Sequence, residues 1–161
     1  ENGQTYDDFF QSDHNSPDEI RNIIYLQPIG QFRQSQSPSL DLLKEYTEAY
    51  FSMIVEIMPA IDIRRLDLKT RSNPYSQNRQ ILAGDILHNL KRNLPANGFC
   101  VLAITMEDLY PDPRWNFVFG QASLHDRVGV FSFACYDPVF HGEPRGSNYH
   151  RLLLRRGVKV L

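Results

Sequence analysis

The sequence predicts an α/β (α+β) fold: a mixed, mostly parallel twisted sheet with an antiparallel edge hairpin and two packed helices. Three observations carry that reading. Residues 99–106 (FCVLAITM) form an unbroken apolar run, the pattern of a strand buried on both faces between helices. Residues 37–53 and 81–94 repeat apolar side chains at helical spacing. Residues 115–124 and 128–134 are β-forming runs around the short polar turn His125-Asp126-Arg127, which reads as a hairpin.

Taken in order, residues 1–19 are polar and read as a flexible segment, pinned to the domain only by Phe9-Phe10. The domain proper covers residues 20–161. Residues 21–29 (RNIIYLQPI) make a first strand, ended by Pro28 and Gly30, and a Gln/Ser linker follows. Ser37-Pro38 supplies an N-cap and a first helical residue. On that helix Leu42, Leu43, Tyr46, Ala49, Tyr50 and Met53 share one face, expected to be the buried one, opposite Asp41, Lys44, Glu45 and Glu48. Residues 53–58 (MIVEIM) are a second strand, and Ile61, Ile63, Leu66 and Leu68 mark another short one.

Residues 71–80 read as a loop around Asn73-Pro74. The second helix buries Ala83, Ile86, Leu87, Leu90 and Leu94, with Pro95 and Gly98 as stop signals. Residues 99–106 belong mid-sheet, and the hairpin belongs at the edge. Read at period two, Trp115, Phe117 and Phe119 point one way and Asn116, Val118 and Gly120 the other. Gly120 and Gly129 inside strand-like runs mark a bulge or a close backbone approach, and a peptide ligand is one such backbone. After a loop at 137–148, residues 149–161 (YHRLLLRRGVKVL) read as a helix apolar on several faces, hence buried.

Composition narrows the function classes. With 42% hydrophobic and 22% charged residues the chain is an ordinary globular one, long enough for a real core. A net charge of -2 argues against a nucleic-acid partner, and no run approaches the ~20 apolar residues of a membrane span. Cys100 and Cys135 lie in apolar runs without a CxxC, so they read as reduced, buried thiols and lean toward a cytoplasmic or nuclear protein. The chain begins at Glu1 and not at Met, so a missing targeting segment carries no weight.

A zinc hydrolase needs two His one helical turn apart with a Glu between them. Here His14, His88, His125, His141 and His150 include no pair at that spacing. His88 sits on a polar helix face beside Asp85 and Arg92, His125 in the hairpin turn and His14 in the leading segment. His141, His150 and Glu143 lie near one another in sequence but lack a further ligand at matching spacing. Walker-type, GxGxxG and GxSxG motifs are missing. Arg151, Arg155, Arg156 and Lys159 read as a solvated basic face. No catalytic residue and no metal ligand is assigned.

NFVFGQASL and VGVFSFA, preceded by FCVLAITMEDLYP, together with Tyr6-Asp7-Asp8-Phe9-Phe10, the 24–30 strand and Ala83-Gly84-Asp85-Ile86-Leu87, resemble the archaemetzincin family of zinc-dependent metallopeptidases. The resemblance runs through nearly the whole chain and is nearest to eukaryotic members. It implies a zincin-like N-terminal, upper subdomain, truncated at the start of the active-site helix: in the family a run like LLLRRGVKVL leads into HExxHxxGxxH, and cysteines holding a second zinc follow. None of those ligands is in this chain. Zinc is therefore implied for the complete family member, and the 161 residues alone are expected to need no cofactor and to hydrolyse no peptide.

The resemblance also implies that Asn116, Phe117, Val118, Phe119, Gly120, Gln121, Ala122 and Ser123 form the upper edge strand of a cleft, pairing antiparallel with an extended peptide or protein substrate. The plain alternative is a strand that only closes the sheet. Two functions follow: part of a zinc metallopeptidase in which zinc-bound water attacks a peptide bond, or a non-catalytic, peptide-binding or vestigial relative. Leu152, Leu153, Leu154, Val158, Val160 and Leu161 would lack partners in this chain alone, which implies self-association.

Overall fold

The computed structural model describes residues 3–33 and 37–157. In chain order the elements are α1 (Tyr6–Gln11), β1 (Ile23–Ile29), α2 (Leu40–Phe51), β2 (Ile54–Ile57), β3 (Thr70–Ser72), β4 (Arg79–Leu82), α3 (Ala83–Arg92), β5 (Gly98–Thr105), β6 (Asp108–Tyr110), β7 (Gly120–Ser123), β8 (Val128–Ser132) and α4 (Tyr149–Gly157). Five strands form one sheet in the order β2-β1-β5-β8-β7, parallel throughout except for β7. The expected mostly parallel sheet with an antiparallel edge hairpin is what the chain builds.

The apolar run of β5 explains the layering. It lies between β1 and β8, so its side chains alternate between two covered faces. Val101 and Ala103 join Tyr25, Ile86, Leu90, Val128 and Val130 under α3. Ile104 joins Leu26, Leu43, Phe131, Phe133 and Leu153 on the opposite face, beneath α2 and α4. Each buried Val, Leu, Ile or Phe among them contributes about 1.5–3 kcal/mol, and the core is spread over both faces of the sheet.

Several local readings are corrected. Helix α2 is capped by Ser39, whose hydroxyl accepts from the Leu42 N–H; Ser37 is buried and its hydroxyl donates to the Arg33 carbonyl. Its buried side chains are Leu43 and Thr47, whereas Leu42, Tyr46 and Tyr50 are exposed, Tyr50 at 68%. The aromatic stripe points outward because the inward turn is held by a threonine that satisfies itself, its hydroxyl donating 2.7 Å to the Leu43 carbonyl. A hydrophobicity wheel counts that threonine as polar and rotates the helix.

Residues 61–68 form no strand. Ile61 makes one isolated bridge to Ile29, and a 3-10 turn over 63–65 follows, opened by the Asp62 side chain. The expected 71–80 loop is instead the tip of the β3–β4 hairpin, and β4 pairs in parallel with β6 to give a separate three-stranded sheet. Residues 3–19 are not held by the Phe pair: α1 is opened by a Thr5/Asp8 capping box with Phe9 and Phe10 exposed, and Asn15 ties the segment to the domain by donating to the Leu124 carbonyl at 2.7 Å. In α4, Tyr149 and Leu153 are buried and Arg151, Leu152 and Arg155 face out, so the helix is one-sided. Val158, Lys159, Val160 and Leu161 lie outside the described residues. Among the described residues no helix is long and apolar enough to cross a membrane.

Candidate functional site

The turn at 124–127 is fixed by side chains. Arg127 adopts a left-handed conformation (φ 57°), unusual for a residue with a Cβ, and is held there as its guanidinium donates to the Gly98 carbonyl at 2.7 Å. The Lys91 ammonium at the end of α3 lies 2.8 Å from Asp126, whose carboxyl is thereby lowered to about 2, with help from Ser123 and His125. The turn is thus riveted to the helix and to β5.

Strand β7 then pairs with β8 from Gly120↔Phe131 to Ser123↔Val128. The Ser132 N–H donates to the Phe119 carbonyl at 2.8 Å, which sets the antiparallel phase. Gln121 and Ser123 therefore direct their main-chain groups at β8, and Gly120 and Ala122 direct theirs away from it, off the sheet edge. Gly120 does mark a close backbone approach, but the partner is internal: a Cβ there would lie 2.6 Å from the Val130 carbonyl oxygen. The approach draws the edge tight against β8.

Asn116, Phe117, Val118 and Phe119 lie before the strand and do not continue its pairing with β8, except for the Phe119 carbonyl. Residues 113–116 are gripped from the small sheet. The Arg71 guanidinium on β3 donates to the carbonyls of Pro113, Trp115 and Asn116, and to the Gln80 side-chain oxygen at 2.8 Å. The Asn116 carbonyl also accepts from Gln80 at 2.8 Å and Asn73 at 3.2 Å, and the Val118 N–H donates to the Leu109 carbonyl. Arg71 lies over the Tyr110 ring, 4.0 Å from its centroid. Asn116 and Val118 are therefore occupied within the molecule, whereas Gly120 and Ala122 offer main-chain groups outward.

Beneath this clamp is Asp108, buried, accepting from the Gln80 amide at 2.8 Å, the Leu109 N–H at 2.9 Å and the Cys135 thiol at 3.7 Å. Burial raises its carboxyl above the usual range against those hydrogen bonds. Burial and the Asp108 charge push the Cys135 thiol up to about 12, and burial pushes Cys100 up to about 11. Both thiols are free and stay protonated at neutral pH, so neither is an activated nucleophile. Sequence reasoning missed Arg71, Asn73, Gln80 and Asp108. The signal was Asn-Pro between β-permissive residues, a hairpin tip and not a structureless loop.

On the α4 side of the edge, rings run from the core to the surface. Phe133 meets Phe131, Phe131 lies 5.9 Å from Tyr136, Tyr136 stacks on Phe119 at 5.1 Å, and Phe119 meets Phe117 edge-on at 5.3 Å. Phe117 and Phe119 are 38% and 39% exposed.

Among the described side chains the histidines do not converge. His141 bonds the Cys135 carbonyl at 3.0 Å, His125 lies beside Asp126, and the His150 side chain lies outside what is described. Among the described residues no three His, Cys, Asp or Glu side chains are placed to hold a metal. A polar cleft of about 520 Å³ beyond the ends of β1 and β5 presents Asp62 and Glu107 as well as Arg64 and Arg79, a mixed lining that favours neither sign of ligand.

No family model matches the chain. It is 42% identical over 143 residues to archaemetzincin-2 of Rattus norvegicus, covering 86% of this chain and 40% of that relative. The crystal structure of archaemetzincin from Methanopyrus kandleri superposes with a TM-score of 0.58 at 26% identity, covering 89% of this chain and 71% of that one. A zinc-dependent peptidase from Methanocorpusculum labreanum shares the fold, with a TM-score of 0.60 at 22% identity over 84% of this chain and 75% of that one. The chain spans only 40% of the length of the curated relative.

Proposed function

We propose, from the premise that this chain is archaemetzincin-like over most of its length, that it supplies the peptide-holding edge of a zinc metallopeptidase. The carrying observation is β7, an edge strand whose Gly120 and Ala122 main-chain groups face outward beside a fixed lip. An extended peptide adds there as a further antiparallel strand, gaining affinity from main-chain hydrogen bonds and selectivity from alternate side chains. The residues described do not fit zinc: no HExxH occurs in the sequence and no ligand cluster forms among the described residues. The metal and its hydrolytic chemistry are therefore assigned outside these 161 residues. That same observation favours a second reading, a non-catalytic peptide-binding relative, which shares the edge. The free, protonated thiols fit a reducing compartment such as cytosol or nucleus.

Two measurements test this. Hydrogen exchange at the Gly120 and Ala122 amides is expected to slow when a short extended peptide is added, and unchanged exchange there would remove the edge from the proposal. The purified chain is expected to take up no stoichiometric zinc and cleave no peptide. Tight zinc at one equivalent would return attention to His141 and His150.

A further inference from the structure

The edge and the exposed rings lie side by side, and together they describe one ligand. Paired residues in an antiparallel ladder share a face, so Gly120 and Ala122 lie on the same face as Phe131 and Gly129. That is the face of the aromatic run: a Cβ on Gly120 would sit 3.4 Å from the Phe131 ring. The two positions carry no more than a methyl group between them, so on this face the strand bears no bulky side chain of its own. Phe119 and Tyr136, stacked at 5.1 Å and an interplanar angle of 15°, wall its upstream end. The wall is rigid. Tyr136 rests near Phe131 in the core, and the lip that carries Phe117 and Phe119 is held by Arg71, Asn73 and Gln80.

We propose that Phe119, with Tyr136 and Phe117, is a specificity-determining shelf that selects extended peptides bearing an aromatic or bulky aliphatic side chain in register with Gly120. This rests on the edge-strand reading given above and adds the chemical class of the side chain. A peptide residue paired with Gly120 points to the same face, where a large apolar side chain packs against the exposed ring of Phe119, backed by Tyr136, with no β7 side chain larger than a methyl between them. A charged residue there would lose hydration against phenyl rings without gaining a partner. The main-chain ladder supplies affinity for any sequence, and the shelf supplies the difference between sequences.

The test uses the 161-residue chain and two probes: a short N-acetylated polyalanine peptide ending in lysine amide, and its counterpart with one central phenylalanine. Amide shifts of Gly120 and Ala122 report the edge, and the ratio of the two affinities reports the shelf. Both probes are expected to shift those amides, with the phenylalanine peptide bound about tenfold more tightly, or about 1.4 kcal/mol. In Phe119→Ala that ratio is expected to fall below about twofold while the amide shifts persist. Phe119→Leu, which keeps apolar bulk against Tyr136, guards against a lip that unfolds, and it should retain an intermediate ratio. Equal affinities in the wild type, or a ratio untouched by both variants, overturns the shelf while leaving the edge standing. Silence at Gly120 and Ala122 with both probes overturns the edge, and the shelf with it.

Discussion

The five-stranded sheet has two edges, and the chain treats them oppositely. At β2 the outward N–H of Val55 is taken by the Glu48 carboxylate of α2 at 3.2 Å, and Glu48 is itself paired with Lys44. A negative charge thus sits where a foreign strand would have to dock, one of the known ways of blunting an edge. At β7 no side chain among the described residues bonds the outward groups of Gly120 and Ala122, and the neighbouring hydrogen bonds hold the lip from Pro113 to Val118. One edge is closed by a carboxylate, and the other leaves the main-chain groups of Gly120 and Ala122 facing outward. An unprotected edge in a chain that protects its other edge reads as a surface for use.

The comparison can be broken most forcefully at Gly120. Alanine there forces its Cβ against the Val130 carbonyl, which is backbone and cannot swing away. We expect a loss of about 2–3 kcal/mol in urea denaturation, and a loss under about 0.5 kcal/mol would mean that the close approach is not a constraint. Next comes Arg71→Ala, which strips the donors from three carbonyls that water can partly reach. We expect about 1–2 kcal/mol, with a change in Trp115 fluorescence, and little recovery in Arg71→Lys because an ammonium cannot reproduce the planar fork.

Asp108 gives a smaller, pH-dependent effect. Its folded-state pKa is raised, so its contribution to stability is fully present below the ordinary aspartate range and is lost as pH rises through the folded value. Asp108→Asn should flatten that decline in melts taken from acid to neutral pH, and an unchanged slope would count against burial as the cause. The smallest stability effect is expected from Glu48→Ala, where the informative readout is association. With the β2 edge unguarded, mass measured by light scattering should climb with concentration relative to the wild type. The Glu48 carboxyl is lowered, chiefly by Lys44 and then by the Val55 N–H, so the guard is in place above the ordinary glutamate range and fails as pH falls through the folded value. Wild type at low pH should then drift toward the behaviour of the variant.

The parts of this fold that were legible are those where one rule dominates. The unbroken 99–106 run could only be a doubly covered strand, and within the expected 81–94 helix residues 83–92 are helical and bury Ala83, Ile86 and Leu90 as the period required, while Ile81 and Leu82 belong to β4. The failures came where two rules compete. Thr47 is polar by type yet inward by hydrogen bonding, which turned α2 away from its aromatic stripe. Thr70–Ser72 and Arg79–Leu82 carry too little hydrophobicity to announce strands, because the small sheet is organised around polar clamps and not around alternation. For the site, Gly120 and Ala122 were legible as part of the edge run. Arg71 and Gln80 were not, since nothing local indicates that a side chain 45 residues away will hold the Asn116 carbonyl.

That separation has a kinetic meaning. The β7–β8 hairpin joins neighbours in sequence and can close early, but the lip beside it locks only after β3 and β4 have docked across 36 to 45 residues of chain. Loop-closure entropy delays such contacts relative to local ones. The edge strand should therefore exist before it is correctly aimed, and the last act of folding in this half of the molecule is the alignment of the lip beside it.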